Sequence, residues 1–335
     1  MIYVKFDNAV EDINSHFDAI NADTGVGHTP NRGEIVYWPT TTTTTPPPLP
    51  NYFRIISRSN DNTIRFSATT TSTSVVGKVI EVSTDDGLTW TSKSSSTGGT
   101  VLGTLQVGDT MLIRGDNSTY STGTAASNIF TSSGNFELSG NIMSLISSSD
   151  FEGLNDLSGT WAFANMFSSC TGLVSVDNLI IPATGLTEGC YYQTFIGCSF
   201  VNPLQLPATT LAPSCYRGMF NRCANMTNPP LLAPTVLASG CYRYMFAYCT
   251  ALTSAPELPA QTLVDQCYFA MFSGCTNLNY IKCLATSVSA SQCKESWVAG
   301  VSSSGTFVKS SSITTSTWGS GTSGIPSNWT VQDAS

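Results

Sequence analysis

The sequence predicts a mixed β and α/β fold: a solenoid of stacked units of about 26 residues, preceded by a small β-sandwich and an N-terminal helical or extended anchor. Three observations lead there. Four times a Cys is followed eight residues later by another, at Cys190 and Cys198, Cys215 and Cys223, Cys241 and Cys249, and Cys267 and Cys275; the leading cysteines lie 25, 26 and 26 residues apart. A Thr/Pro run over residues 39–50 separates the first residues from the rest. Between that run and the repeats, short β-branched and aromatic stretches alternate with clusters of Gly, Asp, Asn and Ser, the pattern of antiparallel strands joined by turns.

Residues 1–38 place Phe6, Val10, Ile13, Phe17 and Ile20 at alternating spacings of 4 and 3, a heptad seam that predicts a short oligomerising or anchoring helix. Residues 39–50 cannot build a core and read as a tether. Residues 51–140 predict a β-sandwich with strands near Phe53–Ser57, Thr63–Ala68, Lys78–Ser83, Thr89–Lys93, Thr110–Arg114 and Asn135–Leu138. Within it, Ser83, Asp85, Gly87, Thr89 and Trp90 fit the pattern S-x-D-x-G-x-T-W. This resembles the Asp-box hairpin of sialidase propellers, where the motif fixes a turn and is not catalytic. Asp85 can accept hydrogen bonds from turn amides, Gly87 supplies positive φ, and Trp90 packs behind them.

Residues 141–310 hold the repeats, with a cap or tail over 311–335. In one unit Cys241, Tyr242, Met245, Phe246 and Cys249 fall at i, i+1, i+4, i+5 and i+8, the apolar stripe of a two-turn helix. The following Ala255-Pro256-Glu257-Leu258-Pro259 is too rich in proline for a helix and predicts a brief extended segment. Stacking aligns Tyr191, Tyr216, Tyr242 and Tyr268 in one column and Phe195, Phe220, Phe246 and Phe272 in another, a quasi-one-dimensional core. Degenerate copies, Trp161–Cys170 and Cys293–Val301, are expected to cap it, giving about six units, above the rough minimum of three.

The run Met-Phe-x-x-Cys-Thr-x-Leu, at Met245–Leu252 and Met271–Leu278, together with Pro256–Ala260 and Tyr280–Ala285, resembles the BspA-type leucine-rich repeats of bacterial surface proteins. The match is to the versions found in gut Bacteroidales and in the crAss-like tailed phages that infect them, and it covers residues 140–335. The resemblance implies a leucine-rich-repeat-like solenoid and a virion structural protein: a head or tail fibre or decoration protein, exposed on the virion surface and assembled in the host cytoplasm. A bacterial cell-surface adhesin and a glycan-degrading tailspike are the alternatives. Exposed repeat positions, Arg217, Arg243, Tyr244 and Tyr248, are the candidate surface for host polysaccharide or protein. Other virion proteins are expected to meet the N-terminus, with trimers or dimers of the chain formed there.

Composition narrows the chemistry. Only 11% of residues are charged and the net charge is −8, which argues against nucleic acid as a partner; no apolar run reaches the roughly 20 residues that span a bilayer. Met1–Ile20 lacks a basic start and an apolar stretch, so no secretory signal is expected there, and the glycosylation tripeptide Asn117-Ser118-Thr119 carries no weight. Arg114-Gly115-Asp116 sits at a strand end and reads as a turn. Eleven cysteines in a reducing compartment predict free thiols, and two cysteines eight apart on a helix would lie roughly 12 Å apart, beyond disulfide reach. No CxxC pair accompanies them and no His follows His28, so neither metal nor cofactor is expected. His16 and His28 precede the tether, and Glu188, Glu257, Asp265 and Glu295 occupy unequal repeat positions; no enzyme is predicted.

Overall fold

The computed structural model describes residues 50–67, 77–121, 128–202 and 204–334; the proposed seam Phe6, Val10, Ile13, Phe17 and Ile20 lies outside them. Leu49–Ser335 form one compact unit. Among the described residues the regular elements are twelve strands in three sheets, two short 3-10 turns and one single-turn helix, Thr315–Trp318. No helix of the described residues is long and apolar enough to cross a membrane.

The fold class therefore differs from the sequence expectation. It is an all-β architecture, and the mixed α/β solenoid of helices and strands does not form. The Cys-to-Cys segments are not helices: they are ladders of consecutive tight turns. In every one of the six copies a residue with positive φ recurs at each fourth position: Trp161, Asn165, Ser169; Gly189, Gln193, Gly197; Ser214, Gly218, Arg222; Gly240, Tyr244, Tyr248; Gln266, Ala270, Gly274; Gln292, Ser296, Gly300. A right-handed α-helix admits none of these, since each left-handed L-residue costs roughly 1–2 kcal/mol.

Hydrogen bonding shows what offsets that cost. In the Cys241 unit the N–H groups of Cys241, Arg243, Met245, Ala247 and Cys249 donate to carbonyls three residues back. The intervening N–H groups, of Gly240, Tyr242, Tyr244, Phe246 and Tyr248, donate to Asp265, Cys267, Phe269, Met271 and Ser273 of the next unit at 2.7–3.2 Å. The same alternation holds for the Cys215 unit, whose Ser214, Tyr216, Gly218, Phe220 and Arg222 donate to Ser239, Cys241, Arg243, Met245 and Ala247. All of these amides are thus satisfied without a helix, half of those in the Cys241 unit by the neighbouring coil. An apolar pattern at i, i+1, i+4, i+5 and i+8 suits a four-residue period as well as a 3.6-residue one, which is why the pattern alone misleads.

The stacking puts the aromatic columns in register. The rings of Phe130, Phe167, Phe195, Phe220, Phe246 and Phe272 follow one another at centroid distances of 5.6–6.2 Å with interplanar angles of 4–19°. Beside them Phe163, Tyr191, Tyr216, Tyr242 and Tyr268 stack at 5.5–6.3 Å. Both columns end on Trp297, 6.2 Å from Tyr268 and from Phe272, which in turn stacks on Trp318 at 5.6 Å.

N-terminal to the repeats, the strands β1 (Phe53–Ser57), β2 (Asn62–Phe66), β3 (Val79–Ser83), β4 (Thr91–Ser94), β6 (Thr110–Gly115) and β8 (Phe136–Asn141) overlap the six expected ones, while β5 (Thr100–Leu105) and β7 (Phe130–Ser132) add two. One sheet runs β4-β3-β6-β1-β8-β9 and a second runs β5-β2-β7. The first is completed from the repeat region: β9 (Leu173–Ile180) pairs in parallel with β8. With Phe130 heading the Phe column, sheets and repeats share one continuous core. At the far end β10 (Tyr280–Cys283), β11 (Thr306–Lys309) and β12 (Thr330–Asp333) form a parallel sheet. Between β9 and β10 the extended segments containing Pro207, Pro229, Pro230 and Pro234 form no strand, because proline offers no donor for a ladder.

Gly274 tests the turn ladder directly. Its φ is +78°, and a Cβ there would stand 2.4 Å from Cδ1 of Tyr248 in the preceding coil. Gly274→Ala is expected to lower stability by about 1–2 kcal/mol from the backbone alone, and by more once the ring is displaced. Gly153→Ala, where a Cβ meets nothing within 4 Å, is expected to stay within about 0.5 kcal/mol of the parent. Denaturant titration of the two variants reads the difference, and equal stabilities would refute the left-handed assignment.

Candidate binding face

The turn ladder presents the residue two after each leading cysteine at a common position in successive coils: Tyr192, Arg217, Arg243 and Phe269. The two arginines lie between the two aromatics. The Arg217 guanidinium sits 5.4 Å from the Tyr192 ring of the preceding coil. Arg243 lies 4.3 Å from the Phe269 ring of the following coil and 5.2 Å from Tyr244. Edge-to-face contacts extend the face at both ends, Trp161 on Tyr192 and Tyr244 on Phe269, each with centroids 5.4 Å apart. Arg243 also donates to Gln266 Oε1, and Gln266 donates to Gln292 Oε1 at 3.0 Å, a polar rail crossing three coils.

The four residues singled out from sequence fall into two groups. Arg217, Arg243 and Tyr244 belong to this face and are half-buried rather than fully exposed; Tyr248 is 47% exposed and belongs to a separate pair, under Arg222 at 4.9 Å. Sequence reasoning missed Tyr192, Phe269, Trp161 and Arg222. Tyr192 and Phe269 share the column of Arg217 and Arg243, so the register could have found them; Trp161 hides in a degenerate copy.

None of the three arginines has a carboxylate partner among the described residues. The ion pairs found there are Arg58–Glu137, Arg114–Glu81, Lys282–Glu257 and Lys309–Asp333. Arg217 is held below the ordinary guanidinium pKa, first by desolvation and further by the neighbouring Arg243. Nε of Arg243 is buried without a hydrogen-bond partner. Such a pair of like charges is electrostatically expensive unless an anion joins it.

The cysteines face inward. All eleven are buried and unbridged. Cys198, Cys223, Cys249 and Cys275 each donate Sγ–H at 3.0–3.1 Å to the carbonyl of Phe167, Phe195, Phe220 or Phe246 in the coil before, and burial pushes the Cys223 and Cys275 thiols up to about 12. Among the described residues no three His, Cys, Asp or Glu side chains cluster in a metal-holding geometry. Open grooves of about 350 Å³ and 490 Å³ run beside the extended segments at Ile180–Pro182 and Leu204–Pro207, and at Thr235–Leu237 and Pro259–Val264.

In the hairpin between β3 and β4, Asp85 accepts from Ser83 Oγ at 2.6 Å, from Thr89 N–H at 3.0 Å and from Thr89 Oγ1 at 2.6 Å. Gly87 N–H donates to Ser83 Oγ, and Trp90 Nε1 donates to the Gly87 carbonyl. Asp86 and Gly87 both have positive φ, the geometry of a type I′ turn. Trp90 in turn carries Arg114 at 4.0 Å. Arg114 is tied to Glu81 and Asp116 accepts from Ser148, so the Arg-Gly-Asp tripeptide is not free to bind a receptor.

Neither family models, nor curated proteins, nor solved structures returned a match to this chain.

The hydrogen bonds to Asp85, that from Ser83 foremost, lower its pKa to about 2. A carboxylate depressed in the folded state contributes stability that is complete above its unfolded pKa of about 3.9 and is lost as pH falls through the folded value. Acidification from about pH 4 to pH 2 is therefore expected to loosen the hairpin, seen as a change in Trp90 fluorescence. Asp85→Asn is expected to abolish that step; an unchanged titration in the variant would assign it elsewhere.

Proposed function

We propose that this chain is a non-catalytic binding protein of a virion surface, a head or tail fibre or decoration protein that adheres to host glycan through the Arg–aromatic face of its repeats. The observation carrying the adhesive part is the run Trp161, Tyr192, Arg217, Arg243, Tyr244 and Phe269. Two guanidinium groups in adjacent coils are flanked by rings, of which Trp161, Tyr244 and Phe269 are half-buried, offering apolar surface and fixed donors to a chain of sugars. The virion placement is supported by the resemblance of Met245–Leu252 and Met271–Leu278 to repeats of crAss-like phages. A tailspike hydrolase would call for a pair of acids flanking its substrate; the one buried charged residue among the described residues is Lys309.

In this reading residues 1–38 join the chain to other virion proteins and to copies of itself. Antibodies raised against the repeats are expected to label intact purified particles, and recombinant protein to adhere to host cells until periodate cleaves their surface diols. Particles without the polypeptide would reject the virion placement, and adhesion that survives periodate would reject the glycan. Light scattering is expected to give a trimer or dimer for the full chain and a monomer for one lacking residues 1–50; identical masses would remove the N-terminal segment from that role.

A further inference from the structure

The geometry points to a carboxylate-bearing ligand for this face: we propose that Arg217 and Arg243 receive successive acidic groups of a uronate-containing polysaccharide whose sugar rings lie against the half-buried Tyr244 and Phe269. The assignment rests on the glycan-binding reading and specifies its charge.

Three observations carry it. The chain has a net charge of −8, yet Arg217 and Arg243 stand in adjacent coils with no carboxylate within ion-pair distance among the described residues. Acidic surroundings would ordinarily supply a counter-charge to half-buried guanidinium groups, and here none is supplied. Secondly, each guanidinium lies against aromatic rings, Arg217 on Tyr192 and Arg243 on Phe269. Such stacking engages the faces and leaves the N–H edges to bind; an edge presents two parallel donors, the match for a planar carboxylate. On Arg243 one Nη already donates to Gln266 Oε1 and Nε is buried, which leaves the other Nη to a ligand. Thirdly, the arginines are one coil apart, and the coils repeat at the 5.7–6.3 Å of the tyrosine stack, a spacing on the scale of one sugar unit. A polymer carrying carboxylates at regular intervals can satisfy both sites at once, and the second contact then benefits from the first. A polyphosphate would meet the same arginines but has no sugar rings to lie against Tyr244 and Phe269.

The test uses full-length protein, polygalacturonate and its fully methyl-esterified form, which keeps the backbone and removes the charge. Polygalacturonate is expected to bind, and esterification to weaken binding about tenfold or more, the worth of a charge-assisted bidentate contact. Arg217→Gln with Arg243→Gln is expected to lose the preference for the acid, while Lys93→Gln on β4 keeps it. Should the double variant fail to fold by circular dichroism, Arg217→Lys keeps the charge and removes the fork, and a weakened acid preference is still expected. Equal binding of acid and ester overturns the carboxylate assignment and leaves glycan adhesion standing. So does binding of neither polymer while periodate-sensitive adhesion to host cells persists. Failure of both polymers and of cell adhesion removes both readings, and equal retention of single-stranded oligothymidylate would reassign the arginines to polyanions in general.

Discussion

Every second backbone N–H of a repeat coil donates to the carbonyl of the next coil, and the rest of the structure follows from that constraint. Here alternate donors point along the stack while the chain keeps turning, and a left-handed residue at every fourth position accompanies that turning. The intervening N–H groups close i to i−3 turns within the coil. Once both sets are made, consecutive coils are locked in register to a single residue. Side chains 25 or 26 apart in sequence then have no choice but to stand above one another.

That register explains the composition of the core. Phe and Tyr rings stack nearly parallel because the coils beneath them are parallel. The carbonyls of Phe167, Phe195, Phe220 and Phe246 each accept twice, from the N–H three residues on and from a cysteine thiol in the following coil. A thiol fits there as a small buried hydrophobe that still carries a weak donor. The hydroxyls of Tyr191, Tyr216 and Tyr242 are buried without a partner, at a cost of about 1–3 kcal/mol each. The stack tolerates them because each ring contributes apolar burial and a ring-on-ring contact on both sides.

The same register builds the surface. Residues two after the leading cysteine are far apart in the chain, yet they form a contiguous strip in which cations rest on rings of adjacent coils. Such a strip is rigid, since its spacing is set by backbone hydrogen bonds and not by loops. A rigid row of flat rings and fixed donors suits an extended polymer better than a compact ligand, and the open grooves beside the proline segments are not enclosed in the way a small-molecule site requires.

The sequence by itself determined the period, the four central members of the Phe and Tyr columns and the turn at Asp85, because a repeat and a hairpin are properties of residues near in the chain or identical in phase; Phe130 and Phe163 join the columns only in the structure. Six of the eight strands before the repeats were also legible from local alternation; β5, with Gly103 in its middle, and the three-residue β7 carry too weak a pattern. Only the tertiary structure decided the conformation between paired cysteines. Helix and turn ladder share the apolar spacing, and the choice is made by hydrogen bonds to a coil about 25 residues away, which no local propensity encodes. The recurrence of Gly189, Gly197, Gly218, Gly240, Gly274 and Gly300 at the left-handed positions was the local signal against a helix, diluted by Tyr, Gln, Ser and Arg at the remaining ones. Likewise, that β9 completes the first sheet, and that Arg217 and Arg243 rest on Tyr192 and Phe269 without a counter-charge, emerges only when the coils are stacked, because each contact joins residues whose separation is bridged by the fold alone.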